Sequence, residues 1–264
     1  MHRENSRNRD NALDGYARAE GDHFASVLAG RFPTAHPPAA APLIDLSASH
    51  LIVLARPRGD GALPRGFLLA AGELFGTCVV EPAAAATPHV VLITSGVRPG
   101  TATEPDLIAL ARVHKVVLLA AGCCQSPSAM RDGYLSALPL LRHLPLLAGS
   151  QPVAHLGELL GYRAVASMAD DERRRHASRL GPLLELRLPR RDALLRSMAA
   201  FVAVSSSPTR AAFHLGLHVR TVRRHRSMIE GLTGLSFGDP DEALLLGLAY
   251  RAARLSGARC GTTA

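Results

Sequence analysis

Between 43 and 149 the apolar residues gather in short unbroken runs separated by stretches of helical period, whereas beyond 150 the period is helical almost throughout. The runs HLIVLARP at 50–57, TCVVEP at 77–82, HVVLITS at 89–95 and KVVLLAAG at 115–122 predict strands, and 63–74, 104–113 and 128–141 predict helices. Strand, helix, strand, strand, helix, strand is the split βαβ order, which predicts an antiparallel sheet carrying helices on one face. Upstream, residues 1–12 are polar and read as disordered, and 16–32 read as a helix with Tyr16, Phe24, Val27 and Leu28 as a partial apolar face. Four prolines between 33 and 42 read as an extended linker.

In the second half, 153–186 reads as helical and connective, with Asp170, Asp171 and Glu172 suited to a helix start and Arg173, Arg174 and Arg175 as a solvated face. A helix over 192–204 buries Leu194, Leu195, Met198, Phe201 and Val202. SSSP then ends it, with Ser207 capping the next. Over 209–234, TRAAFHLGLHVRTVRRHRSMIEGLTG, the residues Leu215 and Leu217 flank Gly216, and Val222, Ile229 and Leu232 follow at helical spacing. Two short helices therefore meet across a turn, the second starting near His218 or Val219. Asp239 reads as the cap and Pro240 as the first residue of a final helix that packs Leu244, Leu245, Leu248 and Tyr250.

Charge singles out the same helix pair. Residues 1–150 hold 13 Lys and Arg against 12 Asp and Glu, whereas 151–264 hold 17 against 10. Between 205 and 228 there are five arginines and no acid, most of them on faces of the second helix that the apolar stripe does not use. Uncompensated charge on one short helix calls for an anionic partner, and a helix of this width fits the major groove of duplex DNA. There arginine forks can hold phosphate oxygens or the O6/N7 edge of guanine. The candidate DNA-binding residues are Thr209, His218, Arg220, Thr221, Arg223, Arg224 and Arg226, with Arg220, Arg223 and Arg224 expected to read bases and His218 and Thr221 to make phosphate or structural bonds.

From 180 to 255 the chain resembles the carboxy-terminal region of the PucR family of bacterial transcription regulators. The resemblance runs through LGPLLEL at 180–186, the helix at 192–204, the segment 211–234 and DPDEALLLGLAYRA at 239–252. Where that family usually reads HRNTLRYRLRRIEELTG, this chain reads HVRTVRRHRSMIEGLTG, matching at His218, Thr221, Arg223, Ile229, Glu230, Leu232, Thr233 and Gly234. Val219 and Arg220 stand in place of Arg and Asn, which implies an altered base-reading pair. Arg226 stands in place of Leu on the stripe of Val222 and Ile229, where it must snorkel outward or find a carboxylate such as Glu230.

Relatives carry a domain similar to the GGDEF nucleotide-cyclase palm, and the first half resembles a degenerate version of it in element order, in LIVLARP and in GYLSALPLL at 133–141. The resemblance implies an α+β chain. Its parts are a tail, short helix and linker over 1–42, a ferredoxin-like, GGDEF-like palm over 43–165, a connecting helix over 166–190 and an all-α helix-turn-helix domain over 191–258. It leaves no room upstream for the separate sensor domain of many relatives.

Cyclase chemistry needs carboxylates on the first strand and at the central hairpin to hold two divalent metals. Residues 51–57 carry none and 81–89 offer Glu81 alone, so no catalysis, metal or cofactor is expected. His214 and His218, four apart across a turn, read as turn packing or phosphate contact rather than a metal pair. Cys123 and Cys124 read as small buried side chains at a strand end, and four cysteines do not make a disulfide framework here. A polar amino terminus and the lack of any apolar run of membrane-spanning length point to a cytoplasmic protein. The expected partner is double-stranded DNA bound by a homodimer, with an unidentified small-molecule effector. The alternatives are an adaptor whose arginine face binds an acidic protein, or a ligand-binding protein that uses the palm-like half.

Overall fold

The computed structural model describes residues 50–257 apart from 60–61, 76–77, 81–88, 96–102 and 205. The tail, helix and linker expected over 1–42, the hairpin at Glu81 and Cys260 lie outside the described residues. The chain divides into two compact units, Met1–Leu159 and Leu160–Ala264.

In the first unit the elements run β1 His50–Pro57, α1 Arg65–Phe75, β2 Cys78–Val80, β3 Val90–Ser95, α2 Thr103–Val113, β4 Val116–Cys124, α3 Pro127–Leu141, α4 Leu144–Ala148 and β5 Val153–His155, closed by a 3-10 turn over Leu156–Leu159. The sheet order is β2-β3-β1-β4-β5. β1 is antiparallel to both β3 and β4, β2 is antiparallel to β3, and β5 joins parallel to β4. The first four strands follow the interleaved βαβ order expected, so the α+β class holds. β5 and α4 were not foreseen.

Helices cover both faces of this sheet rather than one. On one face Val53, Ala55, Leu92, Val116 and Leu118 pack with Phe67 and Ala71 of α1 and Leu107, Leu110 and Ala111 of α2. The alternate residues Ile52, Leu54, Val117 and Leu119 point the other way and are equally buried. There α3 lies so close that a Cβ on Gly133 would sit 3.6 Å from Cys124 Sγ and 4.0 Å from Ile52 Cδ1. Double coverage is what the uninterrupted runs of β1 and β4 require, since a strand with one solvated face alternates. β4 bulges where Ile52 pairs with Gly122 but Val53 with Ala120, and Gly122 takes φ 110, open to glycine without strain. Beyond the bulge Cys124 is buried but Cys123 is exposed, which corrects half of the expectation for this pair. Burial pushes both thiols above their ordinary value, away from reactive thiolate.

The second unit is helical: α5 Leu160–Ala166, α6 Asp170–Ser178, α7 Gly181–Leu184, α8 Leu188–Ala203, α9 Pro208–Leu215, α10 Val219–Thr233 and α11 Pro240–Leu255. One core joins Leu180 and Leu183 of the α7 region, Leu194, Leu195, Met198 and Phe201 of α8, Ala211 and Ala212 of α9, Val222 and Ile229 of α10, and Leu246, Ala249, Tyr250 and Ala253 of α11. From Leu160 on, the segment read as connective is thus part of this unit: α5 and α6 both pack on α11. Arg251 lies close against Gly161, where a Cβ would fall 2.5 Å from its Nε and displace the guanidinium that lies over the Tyr162 ring at 5.7 Å. The same packing turns Arg173 inward to pair with Asp170, while Arg174 stays exposed and Arg175 pairs at the surface with Asp171. The solvated face therefore loses one of its three arginines. On α11 the buried stripe is Leu246, Ala249, Tyr250 and Ala253, and Leu244, expected to pack, is exposed.

Candidate nucleic-acid interface

α9 starts where expected. Ser207 Oγ accepts from the Arg210 N–H, and Pro208, which has no N–H to satisfy, takes the first helical position. It stops at Gly216, whose φ of 63 is left-handed, and the Leu217 N–H returns to the Ala212 carbonyl at 3.0 Å. His218 then caps α10, its Nδ1 accepting from the Arg220 N–H at 3.1 Å. Only Gly216, Leu217 and His218 separate the two helices. Val222 and Ile229 anchor α10 in the core, so its other faces are presented outward.

Arg220, Thr221, Arg223 and Arg224 are all exposed, and among the described residues no carboxylate pairs with any of these arginines. Thr209 is exposed on the first turn of α9. His218 is exposed but committed to its cap, which makes its structural role explicit. His214 is exposed on α9, and among the described residues no three His, Cys, Asp or Glu side chains converge to hold a metal.

Arg226 is placed differently from the other predicted residues. Its Nε donates to Glu230 Oε1 at 2.9 Å, and its guanidinium lies 5.9 Å from the Phe237 ring centroid. The same carboxylate oxygen accepts from the Phe237 N–H at 2.8 Å, and Glu242 accepts from the Ser236 N–H at 2.7 Å. Arg226 thus helps fasten the loop between α10 and α11 instead of joining the free arginines.

One residue the sequence did not single out joins the surface. Arg190, exposed near the start of α8, reaches α10 and donates to Met228 Sδ at 3.2 Å. With His218, Arg220, Thr221, Arg224, His225 and Met228 it lines an open cleft that contains no acid. His225 is steadied from behind by Ser197, a fully buried residue of α8 whose hydroxyl lies 2.7 Å from Nδ1. Desolvation first, and then the nearby Arg224 and Arg196 charges, hold the imidazole below its usual pKa.

A family comparison bears on this arrangement. Residues 194–252 match the PucR C-terminal helix-turn-helix domain. The match runs from within α8 to within α11, so it takes in α9, α10 and the turn between them. A solved structure, the regulator of polyketide synthase expression from Bifidobacterium adolescentis, is similar at 18% identity, covering 79% of this chain and 81% of that one with a TM-score of 0.33. No curated protein matches. In the helix-turn-helix domain, α9 and α10 are the two helices of the motif, and α8 and α11 are the supports that fix them. No helix among the described residues is long and apolar enough to cross a membrane.

Proposed function

We propose that this chain is a transcription regulator of the PucR type that binds duplex DNA by laying α10 in the major groove. The observation that carries the reading is the exposed, acid-free row of Arg220, Arg223 and Arg224 on the second helix of a matched helix-turn-helix domain. Arginine can fork onto guanine O6 and N7 or onto phosphate oxygens, and the helix diameter suits the groove. Thr209 and Thr221 add hydroxyl donors toward the backbone. Residues 191–258 form the reading domain and the helices over 160–190 brace it.

The first unit serves as a scaffold for dimerisation or for receiving a small-molecule signal. Its interleaved strand order supports a relationship to the GGDEF-like palm, and residues 51–57 lack the acid that metal-dependent cyclase chemistry needs. A two-fold dimer on a palindromic site, acting in the cytoplasm, completes the proposal.

The test is selection of preferred duplexes from a random pool, followed by titration of the full chain at several salt concentrations. With about four phosphates neutralised per subunit, log affinity falls with log salt at a slope of roughly −3 to −4 per subunit. Binding indifferent to salt or to sequence counts against it. A second reading has one observation in its favour: Phe213 is 92% exposed on α9, and Leu217 in the turn is 42% exposed. Such an apolar pair beside arginines suits an acidic protein partner, and a chain that selects no duplex yet binds acidic peptides would point there.

A further inference from the structure

Resting on the DNA-binding reading, we infer that the cleft between the start of α8 and the face of α10 is a seat for one backbone phosphate of the duplex, clamped by Arg190 and Arg224. Arg190 comes from a different helix, so the site exists only in the folded unit and is not a property of a charged stretch of sequence. Arg190 and Arg224 are exposed, neither pairs with a carboxylate among the described residues, and the cleft they share has no acid on its wall. Arg220, His218, Thr221, His225 and Met228 complete the lining. Two guanidinium groups from two helices suit a tetrahedral anion with several acceptor oxygens better than they suit one planar base edge.

The rest of the arginine surface divides accordingly. Positions 220, 224 and 228 form one row of α10 at the cleft, and 221 and 225 form the next. Arg223 is exposed but does not line the cleft. Arg224, expected to read bases, is reassigned to the backbone. Arg223 keeps the base-reading role, and Arg220 lines the cleft beside Arg224. A phosphate held at the start of α8 would set the angle and depth at which α10 enters the groove, because α8 and α10 share one core.

The experiment compares the full-length wild type with Arg190→Ala, Arg190→Lys and Arg223→Ala on the selected duplex and on single-base variants of it, over a range of salt. The seat predicts that Arg190→Ala weakens every duplex by the same factor, about tenfold for one charge-assisted bond, and makes the salt slope shallower by about 1. Arg190→Lys keeps the slope, and Arg223→Ala changes the preference at one base pair. Arg190 is exposed, and matching thermal midpoints confirm that the variants are folded. If wild type binds duplex but Arg190→Ala changes neither affinity nor slope, or shifts preference at a single base pair, the seat is wrong and the DNA reading stands. If wild type selects no duplex, both fall. Inorganic phosphate binding that Arg190→Ala abolishes while duplex affinity is unaltered would assign the cleft to a free anion and overturn the proposal.

Discussion

Arg226 shows how a substitution that breaks a pattern is absorbed. It sits on the α10 stripe between Val222 and Ile229, where an apolar side chain would continue the core, yet its charge meets Glu230 one turn on and its fork covers Phe237. Glu230 is the more demanding partner, since it also holds the Phe237 N–H and, at 3.4 Å, the Ser236 hydroxyl. Glu230→Ala should therefore cost about 1–3 kcal/mol in denaturant unfolding, because a partly buried N–H and a guanidinium both lose their acceptor. Arg226→Leu should shift stability by less than about 1 kcal/mol, as Glu230 keeps its backbone bond. It should also leave duplex affinity unchanged, which a direct titration checks and which would not hold if this arginine touched DNA.

His225 gives a pH dependence of definite sign. Burial and the charges of Arg224 on its own helix and Arg196 on α8 lower its folded-state pKa, with Ser197 at Nδ1 and Arg190 and His218 sharing its cleft. The folded state then binds the proton less readily than the unfolded chain. Its contribution to stability is present above the unfolded value of about 6.5 and is lost as pH falls through the folded value. The ring is partly exposed, so the effect is small. Unfolding followed between pH 7.5 and 5 should show the wild type losing more stability than His225→Gln; equal slopes would remove the histidine from the account.

Among the elements, the helix pair was the most legible part, and the reason is local. Val222, Ile229 and Leu232 keep a helical spacing, Ser207 and Asp239 are side-chain caps with proline just after, and Gly216 is the one residue type that takes φ 63 without penalty. Gly216→Ala should therefore destabilise by about 1 kcal/mol, and Gly216→Val by more, in thermal unfolding; an unchanged midpoint would mean that the turn is not held as described. What could not be read was long-range. β5 is three residues added parallel to β4, too short to print a period. The face of the sheet that α3 covers depends on its path after the bulge, which no run of apolar residues encodes. Arg190 was not singled out, because it lies ahead of the helix expected over 192–204 and Met228, 38 residues away, is what makes it part of the interface.

At the scale of the whole chain, charge and core divide at the same place. The second unit carries 17 arginines against 9 acids, so the net charge of +8 falls on the unit that holds the helix-turn-helix motif, and the first unit is neutral. A fragment spanning 160–264 keeps a complete core together with the arginine surface, and it should unfold cooperatively and select the same duplex as the full chain. A shorter fragment starting at 191 keeps every proposed DNA contact except Arg190 but loses Leu180 and Leu183, both fully buried against α8–α11, and the α5–α6 cover on α11. Each leucine contributes about 1.5–3 kcal/mol of burial, a large fraction of what a helical domain of this size has to spare. The 191 fragment should thus melt far below the 160 fragment and lose duplex binding through instability, with affinity recovering on cooling. Equal midpoints for the two fragments would show that 160–190 is a connector after all, and that the reading domain stands without its brace.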